Sequence, residues 1–386
     1  MAELKEYVQA TYEVPVEADL SQRAEAVAIG MTVGSWVDVP DVKKPHLRAY
    51  LGEVSDVQAL GHVGRFSIRY PLANVRPSIS ALLTVVFGKL SLDGVIRLVD
   101  LELPPSFVAA FKGPSLGLDG LRKLLGIGRR PLIMSIFKSE NGRTLEEFRG
   151  ALKAQLDGGV DFVKDDEIFM ADGLCPLLER IATANQLIEA RRQKTGQRGI
   201  YFANLSGTPA EVLQQALVAQ EHGATGFLLS PYSQGLDLLT DLRRAGVQVP
   251  LIAHPAFSGG QIRPHGYGIS PAIYLGLLPR MAGADVVLFP SPYGSVALEQ
   301  EQSLATARAL LSPNSFHPRA VPGPSAGIHL GLVGRLLSDF GRDLVVNAGG
   351  AIHGHPQGTT QGARTLVEGV REELQRLGLW QESDPW

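Results

Sequence analysis

From Pro131 onward the chain repeats one pattern, a short apolar run followed by a longer amphipathic stretch. The apolar runs are Pro131 to Phe137, Phe162 to Lys164, Ile200 to Leu205, Gly226 to Ser230, Val249 to Ala253, Asp285 to Phe289, Arg319 to Val321 and Leu344 to Asn347. The seventh is short and flanked by prolines. Helical stretches follow the runs, among them Pro176 to Arg192, Val296 to Leu311, Leu330 to Phe340 and Ala363 to Leu377. Two others open on Thr144-Leu145-Glu146-Glu147 and Thr208-Pro209-Ala210-Glu211, where a threonine N-cap precedes the helix. Repeated strand–helix units of this spacing predict an α/β protein with a C-terminal (β/α)₈ TIM barrel. Its site would lie at the C-terminal ends of the strands.

Residues 1–125 read as a smaller N-terminal α+β domain and 126–386 as the barrel. Strands at Glu6 to Pro15, Leu51 to Val57 and Val63 to Tyr70 join helices at Asp19 to Gly30 and Ser78 to Thr84. A further strand is expected from about Val85, and Leu118 to Leu125 is a short linking helix. This order predicts helices on one face of a mainly antiparallel, ferredoxin-like sheet. A net charge of -3 gives no basic footprint for nucleic acid or an anionic membrane, so neither is expected as a partner. The lone Cys175 rules out an intrachain disulfide and has no nucleophile context, so it reads as core. The N-terminus lacks an apolar signal core and no run is long enough to span a bilayer, which predicts a cytoplasmic protein.

Under the barrel reading, the residues after each strand share one ring. Gly158-Gly159-Val160-Asp161-Phe162-Val163-Lys164-Asp165-Asp166-Glu167 runs from a glycine turn through apolar residues into one cation and three acids. Alternate side chains of a strand share a face, so Lys164 and Asp166 point together, and Glu167 follows where the strand ends. Acidic oxygens converging there suit a hard cation such as Mg²⁺, although the same string also fits a solvated strand end. Lys138 follows the first strand, His254 the fifth, Pro324-Ser325-Ala326-Gly327 the seventh and Gly349-Gly350 the eighth. Small residues after strands seven and eight suit a phosphate site, because bare backbone N–H groups reach phosphate oxygens. A phosphorylated substrate beside a hard metal is the inference. Each member also has a plain reading: Lys138 as a rim lysine, His254 before Pro255 as a capped structural histidine, Gly349-Gly350 as a tight turn. His353 and His355 form an H-x-H pair, but the metal-dependent barrel hydrolases that use such a pair carry it at the first strand.

These residues resemble the ribulose-bisphosphate carboxylase/oxygenase family. The resemblance runs from Thr32-Val33-Gly34-Ser35-Trp36 through Gly159 to Glu167, Ile252-Ala253-His254, Pro324-Ser325-Ala326-Gly327-Ile328-His329 and Gly349-Gly350 to Gly354-His355-Pro356. It implies that CO₂ carbamylates Lys164, and that the carbamate, Asp166 and Glu167 bind Mg²⁺. The departures point away from carboxylation. The loop after strand six, Phe289-Pro290-Ser291-Pro292-Tyr293-Gly294-Ser295, lacks the carboxylases' lysine. A second lysine expected two residues after Lys138 is replaced by Glu140, and Lys89 stands where carboxylases have asparagine. Phe87-Gly88-Lys89-Leu90-Ser91-Leu92-Asp93-Gly94 and Met134-Ser135-Ile136-Phe137-Lys138 instead look like the carboxylase-like enolases of methionine salvage, which act on 2,3-diketo-5-methylthiopentyl 1-phosphate. Rival assignments are a related isomerase or decarboxylating hydrolase on another sugar phosphate, or a non-catalytic regulatory member.

The implied chemistry is proton abstraction beside a carbonyl, which needs a base, an electrophile and a phosphate anchor. By resemblance, Lys89 is the base. Substrate-binding residues would be Lys89, Lys138, Lys164, Asp165, Asp166, Glu167 and His254, with Ser325, Gly327, Gly349 and Gly350 around the phosphate. Carbamylation needs a neutral amine; neighbouring acids raise the lysine pKa and burial lowers it, a balance the sequence leaves open. The family also shares its site between subunits, which implies a homodimer with Lys89 acting across a subunit boundary.

Overall fold

The computed structural model describes residues 6–16, 19–34, 45–170, 173–262, 266–294 and 296–380. Two compact units emerge, Met1–Phe111 with Ser258–Tyr274, and Lys112–Phe257 with Leu275–Trp386.

The first unit is built on a sheet of β1 (Tyr7–Pro15), β2 (Glu53–Leu60), β3 (Val63–Pro71), β4 (Arg97–Glu102) and a short β10 (Gly268–Ile269). Their order is β10-β4-β1-β3-β2. β1 lies between antiparallel neighbours β3 and β4, and β10 pairs in parallel with β4. Along β1 every second residue is buried, Val8, Ala10, Tyr12 and Val14, as a half-covered strand requires. The helix Leu20–Gly30 starts where Asp19 accepts a hydrogen bond from the Gln22 backbone at 2.8 Å, and buries Ala24, Val27 and Ala28.

The strand expected near Val85 is absent. The helix Ile79–Leu83 runs instead into a π-helical turn, Thr84–Gly88, and a 3₁₀ turn, Lys89–Leu92. The β-branched Thr84-Val85-Val86 favours a strand locally, but Val86, Phe87 and Leu90 extend the apolar face that Ile79 and Leu82 begin. Packing outweighs propensity. The segment after the fifth barrel strand also departs from a simple barrel helix, since it holds only the short helix Gly259–Ile262 before β10 joins the first unit's sheet.

The second unit contains eight parallel strands: β5 (Leu132–Ile136), β6 (Phe162–Lys164), β7 (Ile200–Asn204), β8 (Phe227–Leu229), β9 (Leu251–Ala253), β11 (Val286–Pro290), β12 (Val321–Ser325) and β13 (Val345–Ala348). Their order, β12-β11-β9-β8-β7-β6-β5-β13, is that of a TIM-like barrel. Both expected capping boxes are present, Thr144 with Glu147 and Thr208 with Glu211. Among the described residues no backbone ladder joins β12 to β13. The cause lies in the sequence of β12. The Val321 backbone donates toward β11, to the Asp285 carbonyl at 2.7 Å, so Pro322 and Pro324 occupy the alternate positions whose N–H would face β13. A side-chain bond spans the gap instead, from Asn347 Nδ2 to Ser325 Oγ at 2.8 Å.

The expected linking helix forms at Gly117–Leu125 and groups with the second unit, which begins at Lys112. Leu118, Leu121 and Leu125 pack against Leu132, Phe162, Val286, Val321 and Val345, residues that open their strands, and so close the barrel's N-terminal end. Asp285 fixes the start of this helix by accepting from Leu116 N at 2.7 Å and Gly117 N at 2.8 Å.

Candidate active site

β6 ends on Lys164, whose side chain is only 1 % exposed. Nζ donates to the Asp165 carbonyl at 2.9 Å and lies 3.8 Å from Glu167 Oε2. Burial holds the Lys164 pKa below the ordinary lysine value, although Glu167 and Asp166 pull the other way. Of the two opposing influences, burial is the larger.

The neighbouring strand ends converge on the same acids. Lys138, just past β5, donates from Nζ to Asp166 Oδ2 at 2.6 Å. Burial opposes ionisation of Asp166, but the Lys138 hydrogen bond and charge help hold its pKa below the usual carboxylate value. His254, following β9, places Nε2 3.3 Å from Glu167 Oε2. The Ala256 backbone donates to His254 Nδ1 at 3.2 Å, so in the neutral ring the proton sits on Nε2, facing Glu167. Burial, with the Lys164 charge, depresses the His254 pKa to about 3 and keeps the ring neutral. Burial raises the Glu167 pKa above the ordinary value.

Asp165 does not join this group. Strand alternation turns it to the opposite side, where it is fully buried and accepts from Arg180 Nη1 at 2.5 Å, Tyr201 OH at 2.6 Å and Asn204 N at 2.9 Å. Both carboxylate oxygens of Asp165 are thus engaged inside the protein, apart from the acids that face Lys138 and His254. Glu140, seen from the sequence only as a departure, is the residue that reasoning missed. It is 4 % exposed and accepts the Asp166 N–H, and burial beside Asp165 raises its pKa to about 10. The signal available was an acid two residues beyond a rim lysine, with no hint of its burial.

At the other strand ends, Ser325 closes β12 with its hydroxyl donating to the Gly323 carbonyl at 2.8 Å, and Ala326 and Gly327 both take left-handed backbone, φ 71° and 79°. Gly349 begins the turn after β13, where a Cβ would stand 3.2 Å from Lys138 Cε. Strand eight therefore delivers its glycines beside the Lys138 stem. Both ring nitrogens of His353 are occupied, Nε2 with the Ile136 carbonyl at 2.8 Å and Nδ1 with Thr359 Oγ1 at 3.2 Å, which makes it a brace and not a zinc ligand. In the other unit, Lys89 is exposed on its 3₁₀ turn. Thr32 accepts from Gly52 N at 3.1 Å, while Ser35 and Trp36 lie outside the described residues.

Among the described residues, no three His, Cys, Asp or Glu side chains gather into a metal-binding group. Asp166 and Glu167 offer two carboxylates, and an unmodified lysine is no Mg²⁺ ligand. A carbamate on Lys164 would remove the positive charge and add the missing oxygens, so the donor set fits the metal in that form. The burial of Lys164 favours the neutral amine that CO₂ requires.

The family model of the ribulose bisphosphate carboxylase large chain, catalytic domain, matches residues 117–372. The 2,3-diketo-5-methylthiopentyl-1-phosphate enolase of Geobacillus kaustophilus (strain HTA426) is 45 % identical over 373 residues, spanning 93 % of this chain and 90 % of the relative. A rubisco-like protein from Alicyclobacillus acidocaldarius has a solved structure that superposes with a TM-score of 0.89 at 40 % identity, covering 98 % of this chain and 96 % of that one. The octameric ribulose-1,5-bisphosphate carboxylase/oxygenase of Pyrococcus horikoshii OT3 superposes at 0.88 with 25 % identity, covering 96 % and 88 %.

Proposed function

The chain belongs to the ribulose bisphosphate carboxylase large-chain family, and from that premise we propose that it is an enolase of methionine salvage. Its reaction is the Mg²⁺-dependent tautomerisation of 2,3-diketo-5-methylthiopentyl 1-phosphate to 2-hydroxy-3-keto-5-methylthiopentenyl 1-phosphate. The observation that carries this reading is the meeting of Lys164, Asp166, Glu167, Lys138 and His254 at adjoining strand ends. The loop after β11 supports it, because Pro290 to Gly294 offers no cation for a CO₂ adduct. The curated relative at 45 % identity bears the same activity in its name.

Lys89 removes the proton from C1, the electron pair forms the C1–C2 double bond, and the C2 oxygen takes up the charge and then a proton. Lys138, cationic, and His254, through its Nε2–H, donate to the substrate oxygens. Backbone N–H groups around Ser325, Gly327, Gly349 and Gly350 hold the phosphate. Mg²⁺, bound by Asp166, Glu167 and the Lys164 carbamate, would supply Lewis-acid polarisation of the substrate oxygens. Lys89 and the barrel residues come from different subunits of a homodimer, a reading to which the octameric assembly of one family member lends support.

In D₂O with Mg²⁺ and bicarbonate, the purified protein should convert the diketone phosphate and, by reversal of the step, exchange the C1 hydrogen of the remaining substrate for deuterium. Withdrawing both additives should stop the exchange. Fixation of CO₂ onto ribulose bisphosphate, or indifference to both additives, contradicts the proposal.

A further inference from the structure

Lys89 follows a π-helical turn, an irregular element that leaves its carbonyls outside the ordinary helical pattern. One of them, at Val86, belongs to a buried residue, and a buried carbonyl needs a donor. Tyr12 of β1, fully buried, donates its hydroxyl proton to the Val86 carbonyl. Tyr70 of β3, also fully buried, lies 2.8 Å from the Tyr12 oxygen. Tyr12 has a single proton and spends it on Val86, so Tyr70 must be the donor in that pair. The result is a directed relay, Tyr70 to Tyr12 to Val86, in which each bond polarises the next.

A second hydroxyl acts on the other side of the lysine. Tyr267, partly exposed and next to β10, donates to the Ser91 carbonyl. Ser91 in turn donates from Oγ to the Gly88 carbonyl at 2.7 Å, tying the backbone across Lys89. The chain segment that carries Tyr267 lies far along the sequence and groups with this unit, where β10 pairs with β4. Tyrosines from β1 and from that segment thus end on carbonyls within three residues of Lys89.

We infer that Tyr12 and Tyr267 are positioning residues for Lys89, each fixing the backbone on one side of it. The inference rests on the reading of Lys89 as the base. A lysine reaches its target on a long flexible stem, so the orientation of its root sets how often the amine arrives in line.

Three full-length variants test this: Tyr267→Phe, Tyr12→Phe and Lys89→Ala, assayed on the diketone phosphate with saturating Mg²⁺ and bicarbonate. Tyr267→Phe, at a partly exposed site, should keep its thermal midpoint and KM while kcat falls by about tenfold. Tyr12→Phe should lose kcat at least as severely; if it does not fold, Tyr267→Phe decides alone. A Tyr267→Phe kcat within twofold of wild type overturns the inference, as does a loss shared equally between KM and thermal midpoint. Lys89→Ala separates the two claims. If it is inactive, an unaffected Tyr267→Phe removes only the positioning role; if it still turns over, the base assignment fails and the positioning role fails with it.

Discussion

Asp165 and Asp166 are adjacent aspartates with opposite fates. Asp166 faces Lys138 at 2.6 Å, whereas Asp165 is enclosed by Arg180, Tyr201 and the Asn204 backbone. The alternation that put Lys164 and Asp166 on one face was legible in the sequence. The partners that claim Asp165 were not, because Arg180 lies on the following helix and Tyr201 and Asn204 on the next strand. Glu140 was hidden for the same reason, since only the fold buries it against the Asp166 N–H. Asp165→Ala would leave Arg180, itself 3 % exposed, without its carboxylate. Removing one partner of such a buried pair costs about 3–5 kcal/mol. Urea unfolding of the variant should show that loss, and a change below about 1 kcal/mol would mean that solvent reaches Arg180 after all.

The elements most readily read were those with a strong local signal: β6, whose ends match the sequence reading residue for residue, and the two capped helices. β12 was harder. Its prolines read as strand breakers, and the expected run Arg319 to Val321 stopped short, yet the strand is Val321–Ser325. Prolines at alternate positions are tolerated because that side of β12 makes no ladder. The turn that follows is braced by the loop after β11. Ser291 N donates to the Ser325 carbonyl at 2.9 Å, and Tyr293 donates to Asp339 while Arg335 stacks 4.5 Å from its ring centroid. A Cβ on Gly294 would lie 1.7 Å from the Ala326 carbonyl oxygen, so the two loops touch through bare backbone. Gly294→Ala should push the Ala326–Gly327 turn away from its place in the proposed phosphate cradle. The predicted outcome is a KM for the phosphorylated substrate raised by about tenfold, with a nearly unchanged thermal midpoint. An unaltered KM would take this turn out of phosphate binding.

For the whole molecule, the alternation from Pro131 onward revealed the barrel, while two long-range features stayed out of sight. Gly117–Leu125 shares one apolar cluster with the residues that open the barrel strands, and residues 258–274 group with the first unit, where β10 joins its sheet. Both depend on pairings remote in sequence, which periodicity does not report. No helix among the described residues is long and apolar enough to cross a membrane. The central claim of this account joins the two units functionally: Lys164 holds the metal site and Lys89 moves the proton, and they come from different subunits. Mixing Lys89→Ala with Lys164→Ala subunits tests it directly. Each variant alone should be inactive. In a mixed dimer one site keeps both native lysines and the other loses both, so random pairing should restore about one quarter of wild-type turnover. A mixture that exchanges subunits yet stays inactive, or a single variant that turns over by itself, would contradict the claim.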